Sequence, residues 1–227
     1  MLGLTIAMLL MPPQVGEFGA RIPEMRKASS HEADRLAAEY SDCLVADRSK
    51  GTAIDRFLRE FPADGTGPGP SADVITVDCM DNAVRLYQRT VSLSVTNTSL
   101  RATLYPALYR HDFGRSGPPA GLATLAPLAL DPEFDRALAA LPPDYLPRRA
   151  LGDCVSREAP RDAHALLTAV PHGKTEDAAI SALSLPLAKC LPKGETFRLN
   201  RAMLRAAIGE AMYKLALAAR VGGAATP

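Results

Sequence analysis

Tryptophan is missing from this sequence, and aromatic residues of all kinds make up only 5% of its 227 positions. The core must therefore be built mostly from Leu, Ala, Val and Met, which suits helices packed closely through small side chains. An excess of charge of one sign is also missing: 26 Lys and Arg stand against 25 Asp and Glu, a formal net charge of +1. That balance provides no electrostatic footprint for nucleic acid, and few rings are present to stack on bases, so no nucleic acid partner is expected. No polybasic run marks a membrane surface site.

The signatures of chemistry are absent as well. The four histidines, His31, His111, His164 and His172, fit no HExxH or paired-His metal spacing. The run His31-Glu32-Ala33-Asp34 falls on the first turn of a helix, where acids favour the helix dipole. Residues 114–117, "GRSG", do not spell a nucleophile elbow, and "GTGPGP" at 65–70 lacks the Lys-Ser/Thr of a phosphate loop. Asp42 and Asp153 recur in front of cysteines, but acids on helices are usually solvated or bonded to a neighbouring base. No metal, no cofactor and no catalytic residue is expected.

What the sequence does contain is a hydrophobic fraction of 47%, enough to bury a core. An apolar run from Leu2 to Met11 ends at Pro12 and Pro13. It is shorter than the ~20 residues a membrane-spanning helix needs and matches the apolar centre of a signal peptide. Residues 1–20 are read as that peptide, with cleavage after Ala20, an export to the periplasm or the outside, and no stable membrane span once the peptide is removed.

The four cysteines, Cys43, Cys79, Cys154 and Cys190, are too widely spread for a C-x-x-C redox motif or a zinc knuckle. An even number behind a signal-like segment reads as two disulfides. Spacing alone allows three pairings, but an internal repeat selects among them. Asp42-Cys43-Leu44 lies over Asp153-Cys154-Val155, and a second cysteine follows 36 residues later in each copy (79 − 43 and 190 − 154). "LRATLYPALYR" (100–110) then lies over "LRAAIGEAMYK" (204–214), with Leu, Arg, Ala, Ala and Tyr identical. A repeat of this length is one supersecondary unit used twice. Bridges within copies, Cys43–Cys79 and Cys154–Cys190, would each constrain the unfolded chain by roughly 3–4 kcal/mol on the loop-entropy estimate.

Local signals are helical throughout. Ser29 with Glu32 forms a capping box ahead of a stripe of Leu36, Tyr40, Cys43 and Leu44. Thr52 can cap a helix carrying Ile54, Phe57, Leu58 and Phe61. Leu166, Leu167 and Val170 repeat that pattern up to Pro171, Thr175 opens a run to Cys190, and Asn200 caps the last helix. The β-branched segment 73–79 would suit a strand by composition, but its counterpart has helical spacing and a helix is expected. Asp131 and Pro132 open a short helix in the connection. The expected architecture is all-α: two tandem similar helical units, 29–113 and 151–221, each stapled by one disulfide and joined by a Pro/Gly-rich connection over 114–150.

The pattern Asp-Cys-Val…Ala-Leu-Leu…Cys-Leu-Pro-x-Gly…Leu-Arg…Ala-Met-Tyr-Lys, clearest over 153–214, resembles a group of exported Ala/Leu-rich proteins of sphingomonad-type alphaproteobacteria. The resemblance implies export and a duplicated cysteine-bearing helical unit. It implies no activity and no catalytic residue. The first copy departs from the pattern after Cys79, where a longer segment replaces "LPKGETFRL".

On a helical wheel, Tyr213 falls opposite the stripe of Leu204, Ile208, Met212 and Leu215, and Tyr109 takes the same place in the first copy. A helix apolar on two faces is either sandwiched between the units or presents Tyr109 and Tyr213 to a protein partner or small ligand. The function expected is accordingly that of a non-catalytic envelope protein, a structural or protein-interaction module. The alternative is an enzyme built on scattered His and acidic residues.

Overall fold

The computed structural model describes residues 29–60, 70–81, 95–129, 143–191 and 199–224. The signal-like segment 1–20, most of the loop after Phe61, the longer first-copy segment from residue 82 to 94 and the expected helix after Asp131 lie outside them. The described residues form an all-α fold, with no strand among them. Its helices are α1 (Ser30–Ala46), α2 (Gly51–Glu60), α3 (Asn97–Phe113), α4 (Tyr145–Glu158), α5 (Pro160–Thr168), α6 (Lys174–Ala182), α7 (Ser184–Cys190) and α8 (Arg201–Ala224). None is long and apolar enough to cross a membrane.

Caps decide where the helices start. The Glu32 N–H donates to Ser29 Oγ at 3.2 Å and the Ser29 N–H donates back to the Glu32 carboxylate at 2.9 Å, so two orphan donors of α1 are satisfied together. Asn200 Oδ1 accepts from the Met203 N–H at 2.8 Å and opens α8. At α2 the side-chain cap is Asp47 rather than Thr52: its carboxylate accepts from the Ser49 N–H at 2.9 Å and starts a 3₁₀ turn that runs into Gly51. The expected run from Thr175 to Cys190 is two helices that break at Leu183. Pro186, which has no N–H to donate to the carbonyl of residue 182, stands in the first turn after the break. Val170 does not join the buried stripe of α5 and is 60% exposed. Of segment 73–79, only 77–79 is helical, and the Tyr40 hydroxyl both donates to the Thr76 carbonyl and accepts its N–H, each at 3.2 Å.

Two apolar cores result. The first gathers Leu44, Ile54, Phe57, Leu100 and Leu104; the second gathers Leu151, Val155, Leu166, Leu167, Ile208 and Met212. Helices α3 and α8 cross between them. At the crossing a Cβ on Gly209 would stand 2.6 Å from Pro106 Cγ, so the backbone of α8 rests on the proline ring. Helix α3 runs through Pro106 without interruption. A second close crossing brings α4 onto α8, where a Cβ on Gly152 would come 2.2 Å from the Ala207 carbonyl oxygen. In the repeat alignment Gly152 matches Ser41 and Ala207 matches Thr103. Those two also meet, through a 2.6 Å hydrogen bond from the Ser41 hydroxyl to Thr103 Oγ1.

Candidate functional site

The cysteines pair within copies. Cys43 and Cys79 form one disulfide with Cα atoms 5.6 Å apart; Cys154 and Cys190 form the other at 5.8 Å. Each bridge ties the helix that begins its half to a segment 36 residues later, and both Cα distances lie in the ordinary disulfide range.

The arginines of the repeated Leu-Arg-Ala take matching positions. Arg101 donates to the Leu58 carbonyl at the end of α2. Arg205 donates to the Leu166 carbonyl at 2.6 Å, the Ala169 carbonyl at 3.1 Å and the Leu167 carbonyl at 3.3 Å, at the end of α5. A helix end leaves its last carbonyls without partners inside the helix. In each half one buried guanidinium satisfies them, and its charge complements the negative end of the helix dipole. Burial pulls the Arg205 pKa below the usual arginine value, and the neighbouring Arg110 charge pulls in the same direction.

Glu210 is the hub of a buried polar cluster. Its Oε1 accepts from the Tyr145 hydroxyl at 2.6 Å, Lys214 Nζ at 2.5 Å, Arg101 Nη2 at 3.1 Å and Arg149 Nη1 at 3.3 Å. Arg101, Arg149 and Glu210 are all buried. Burial works most strongly against the Arg101 charge, but the Glu210 carboxylate together with Tyr105 and Tyr145 outweighs it and the pKa rises. Burial, then the Glu210 charge, push the Tyr145 phenol up to about 12, so it stays a hydrogen-bond donor at neutral pH. Lys214 is drawn well below the ordinary lysine value by burial and by Arg101. The single carboxylate charge is already shared with two guanidinium groups.

A cleft of ≈ 490 Å³, open mouth included, lies where α1, α3, α6 and α8 meet. Small residues make its floor: Ala37, Ala38, Ala102, Pro106 and Ala202. His172, in the turn between α5 and α6, stands at its edge with φ +58°. It is the one non-glycine residue at positive φ among the described residues. Such a conformation costs of order 1–3 kcal/mol and persists where the surroundings over-determine it. Here they do. The His172 N–H donates to Glu176 at 2.7 Å, its carbonyl accepts from Arg35 at 3.4 Å, and its Nε2 lies 2.6 Å from Asp34 Oδ2. The carboxylate partner assigns the proton to Nε2. The ring also stacks on His31, with centroids 3.9 Å apart. Glu176 is bonded in turn by Arg205 at 3.1 Å and Arg201 at 3.3 Å.

Of the two readings open for Tyr109 and Tyr213, the sandwiched one holds: they lie across the α3–α8 crossing, each against the opposite half. Tyr109 has no exposed area; its hydroxyl is 2.9 Å from His164 Nδ1 on α5, and its ring stacks on Phe113. It presents nothing to a partner. Burial pushes its phenol well above the usual tyrosine range. Tyr213 is half-buried between Tyr105 and Phe113, at centroid distances of 6.2 and 6.4 Å, and burial likewise pushes its phenol up, to about 12. The recurrent acids are paired: Asp42 with Arg110 at 2.6 Å, Asp153 with Arg157 at 2.7 Å. No group of three or more His, Cys, Asp or Glu side chains able to hold a metal occurs among the described residues.

Sequence reasoning passed over Glu210, Arg149 and the His172–Asp34 pair. For Glu210 a signal existed: an acid set in the run Ala-Ala-Ile-Gly-Glu-Ala-Met, where nothing polar flanks it. For His172 and Asp34, 138 residues apart, none did. No family model, curated protein or solved structure matches this chain.

Proposed function

We propose that this chain is an exported, non-catalytic helical protein of the cell envelope, built from one helical unit used twice and acting as a structural or protein-interaction module. The observation that carries the reading is the pair of disulfides, each closing its own half, with no free cysteine in the chain. Disulfides persist in oxidising compartments and are rare in the cytosol. The apolar run Leu2–Met11 and the resemblance at 153–214 to exported Ala/Leu-rich proteins support the same placement. Duplication has its support in the matched roles of Arg101 and Arg205 and in the matched crossings Ser41–Thr103 and Gly152–Ala207.

A non-catalytic role is supported by what the polar groups do. Tyr145, Arg101, Arg149 and Arg205 serve carbonyls and carboxylates of the fold itself. The His172 imidazole is bonded to a carboxylate, and no hydroxyl or thiol nucleophile bonds to it among the described residues.

Fractionation with mass spectrometry of the native chain tests the reading. Export predicts a mature N-terminus near Arg21, recovery outside the cytoplasm and both Cys43–Cys79 and Cys154–Cys190 peptides under non-reducing conditions. A cytoplasmic chain that keeps Met1 and carries four reduced thiols would overturn it.

A further inference from the structure

We propose that the cleft between the two halves binds a small zwitterion of the free α-amino-acid class, its ammonium group on Asp34 and its carboxylate on Arg201. Two charges of opposite sign line this cleft, one from each half, and each is pinned on one side and open on the other. Asp34 has its Oδ2 held by His172, while the side chain keeps 35% exposure and Oδ1 carries no hydrogen bond among the described residues. Arg201 has Nη1 held by Glu176 and Asp177, while its side chain keeps 43% exposure. A carboxylate and a guanidinium each already held by the fold need little ordering to receive a ligand, which is the advantage of pre-organisation. The planar fork of arginine matches a carboxylate in geometry and charge.

The floor explains the size and character of what would lie between them. Ala37, Ala38, Ala102, Pro106 and Ala202 leave an apolar surface and room for a short side chain. Small-molecule sites are mostly apolar with a few placed polar groups, as here. The strained backbone at His172 adds a second, independent observation. His172 orients Asp34, and strain of this kind is held at ligand clamps and switch segments. Charge does not favour a simple anion or cation, because the Asp34 and Glu176 carboxylates stand beside Arg110, Arg201 and Arg205, whose charges Asp42 and Asp177 further offset. A ligand carrying both charges suits that balance. This proposal goes beyond the export reading and does not depend on it.

Calorimetry on the full disulfide-bonded chain tests the proposal, with glycine, alanine, valine, leucine, methionine and phenylalanine as probes, each beside its N-acetyl and its amide derivative. Saturable binding of at least one free amino acid is expected. Loss of either charge should weaken it by about tenfold or more, the loss of one charge-assisted contact. Asp34→Asn and Arg201→Gln should weaken it to the same degree with the helical circular dichroism unchanged, and Ala202→Leu should block it by filling the floor. Failure of the folded chain to bind any of the six free amino acids would overturn the proposal. So would equal binding of a capped derivative, which is read on the unmutated chain and holds even where a variant does not fold. A zwitterion bound as tightly by Asp34→Asn and Arg201→Gln as by the parent would place it elsewhere and overturn the assignment.

Discussion

Gly209 of α8 rests on the ring of Pro106 of α3, with the position of a Cβ at 209 only 2.6 Å from Pro106 Cγ and 2.8 Å from Pro106 Cδ. The two helices that join the halves therefore touch backbone to ring. Gly209→Ala is expected to force them apart at a cost of about 1–3 kcal/mol, the usual penalty for overpacking. Denaturant melts should show the loss, and the double variant Pro106→Ala/Gly209→Ala should recover part of it. A Gly209→Ala chain with an unchanged midpoint would mean that the crossing is looser than described. Gly152→Ala should be at least as damaging, because its Cβ would meet the Ala207 backbone carbonyl, which cannot rotate away as a side chain can.

Arg101, Arg149, Tyr145 and Lys214 all reach the carboxylate of Glu210. Removing it leaves two buried guanidinium groups without this partner. Glu210→Ala should cost about 3–5 kcal/mol, the range for breaking a buried ion pair from one side. Glu210→Gln keeps a hydrogen-bond acceptor of the same shape and should cost less. Equal losses for the two variants would show that charge contributes nothing there.

The two disulfides should contribute separately. Each closes a separation of 36 residues, worth about 4 kcal/mol of unfolded-state entropy on the loop-closure estimate. Cys154→Ser/Cys190→Ser and Cys43→Ser/Cys79→Ser should each lower the midpoint of unfolding, and reduction of the parent chain should lower it further than either pair of substitutions. A chain as stable reduced as oxidised would contradict the role of the bridges.

His164 ties stability to pH. Burial holds its pKa below the ordinary histidine value. The unfolded chain then binds this proton at a higher pH than the folded one, near ~6.5. The stabilisation is complete above that value and is lost as pH falls through it toward the lower folded pKa. Urea midpoints measured from pH 7.5 down to pH 5 should fall, and the fall should be shallower in His164→Gln. A parent and variant with parallel profiles would show that the imidazole does not titrate on unfolding.

Much of the fold was legible because its causes are local. The capping box at Ser29 and Glu32, the cap at Asn200 and the stripe of Leu204, Ile208 and Met212 depend on residues three or four apart, and all form as their spacing implies. The repeat extended that reach. By setting Cys43 over Cys154 and Cys79 over Cys190, it selected one pairing of three, and that pairing forms. Where a local rule was misjudged, the fault was also local: α6 and α7 break at Leu183, with Pro186 in the first turn after the break, and Asp47 rather than Thr52 caps the turn before α2.

The sequence by itself therefore determined the helices, their caps, their apolar faces and the two staples, because nearest neighbours along the chain and two similar cysteine-bearing stretches carry that information. Only the tertiary structure decided which side chains from distant segments meet. Tyr109 went into the core against His164, and Asp34 went to His172, because two helices cross where Gly209 admits the ring of Pro106. That crossing depends on a missing side chain, and a pattern of hydrophobic residues along one helix does not record the space that a glycine leaves for another.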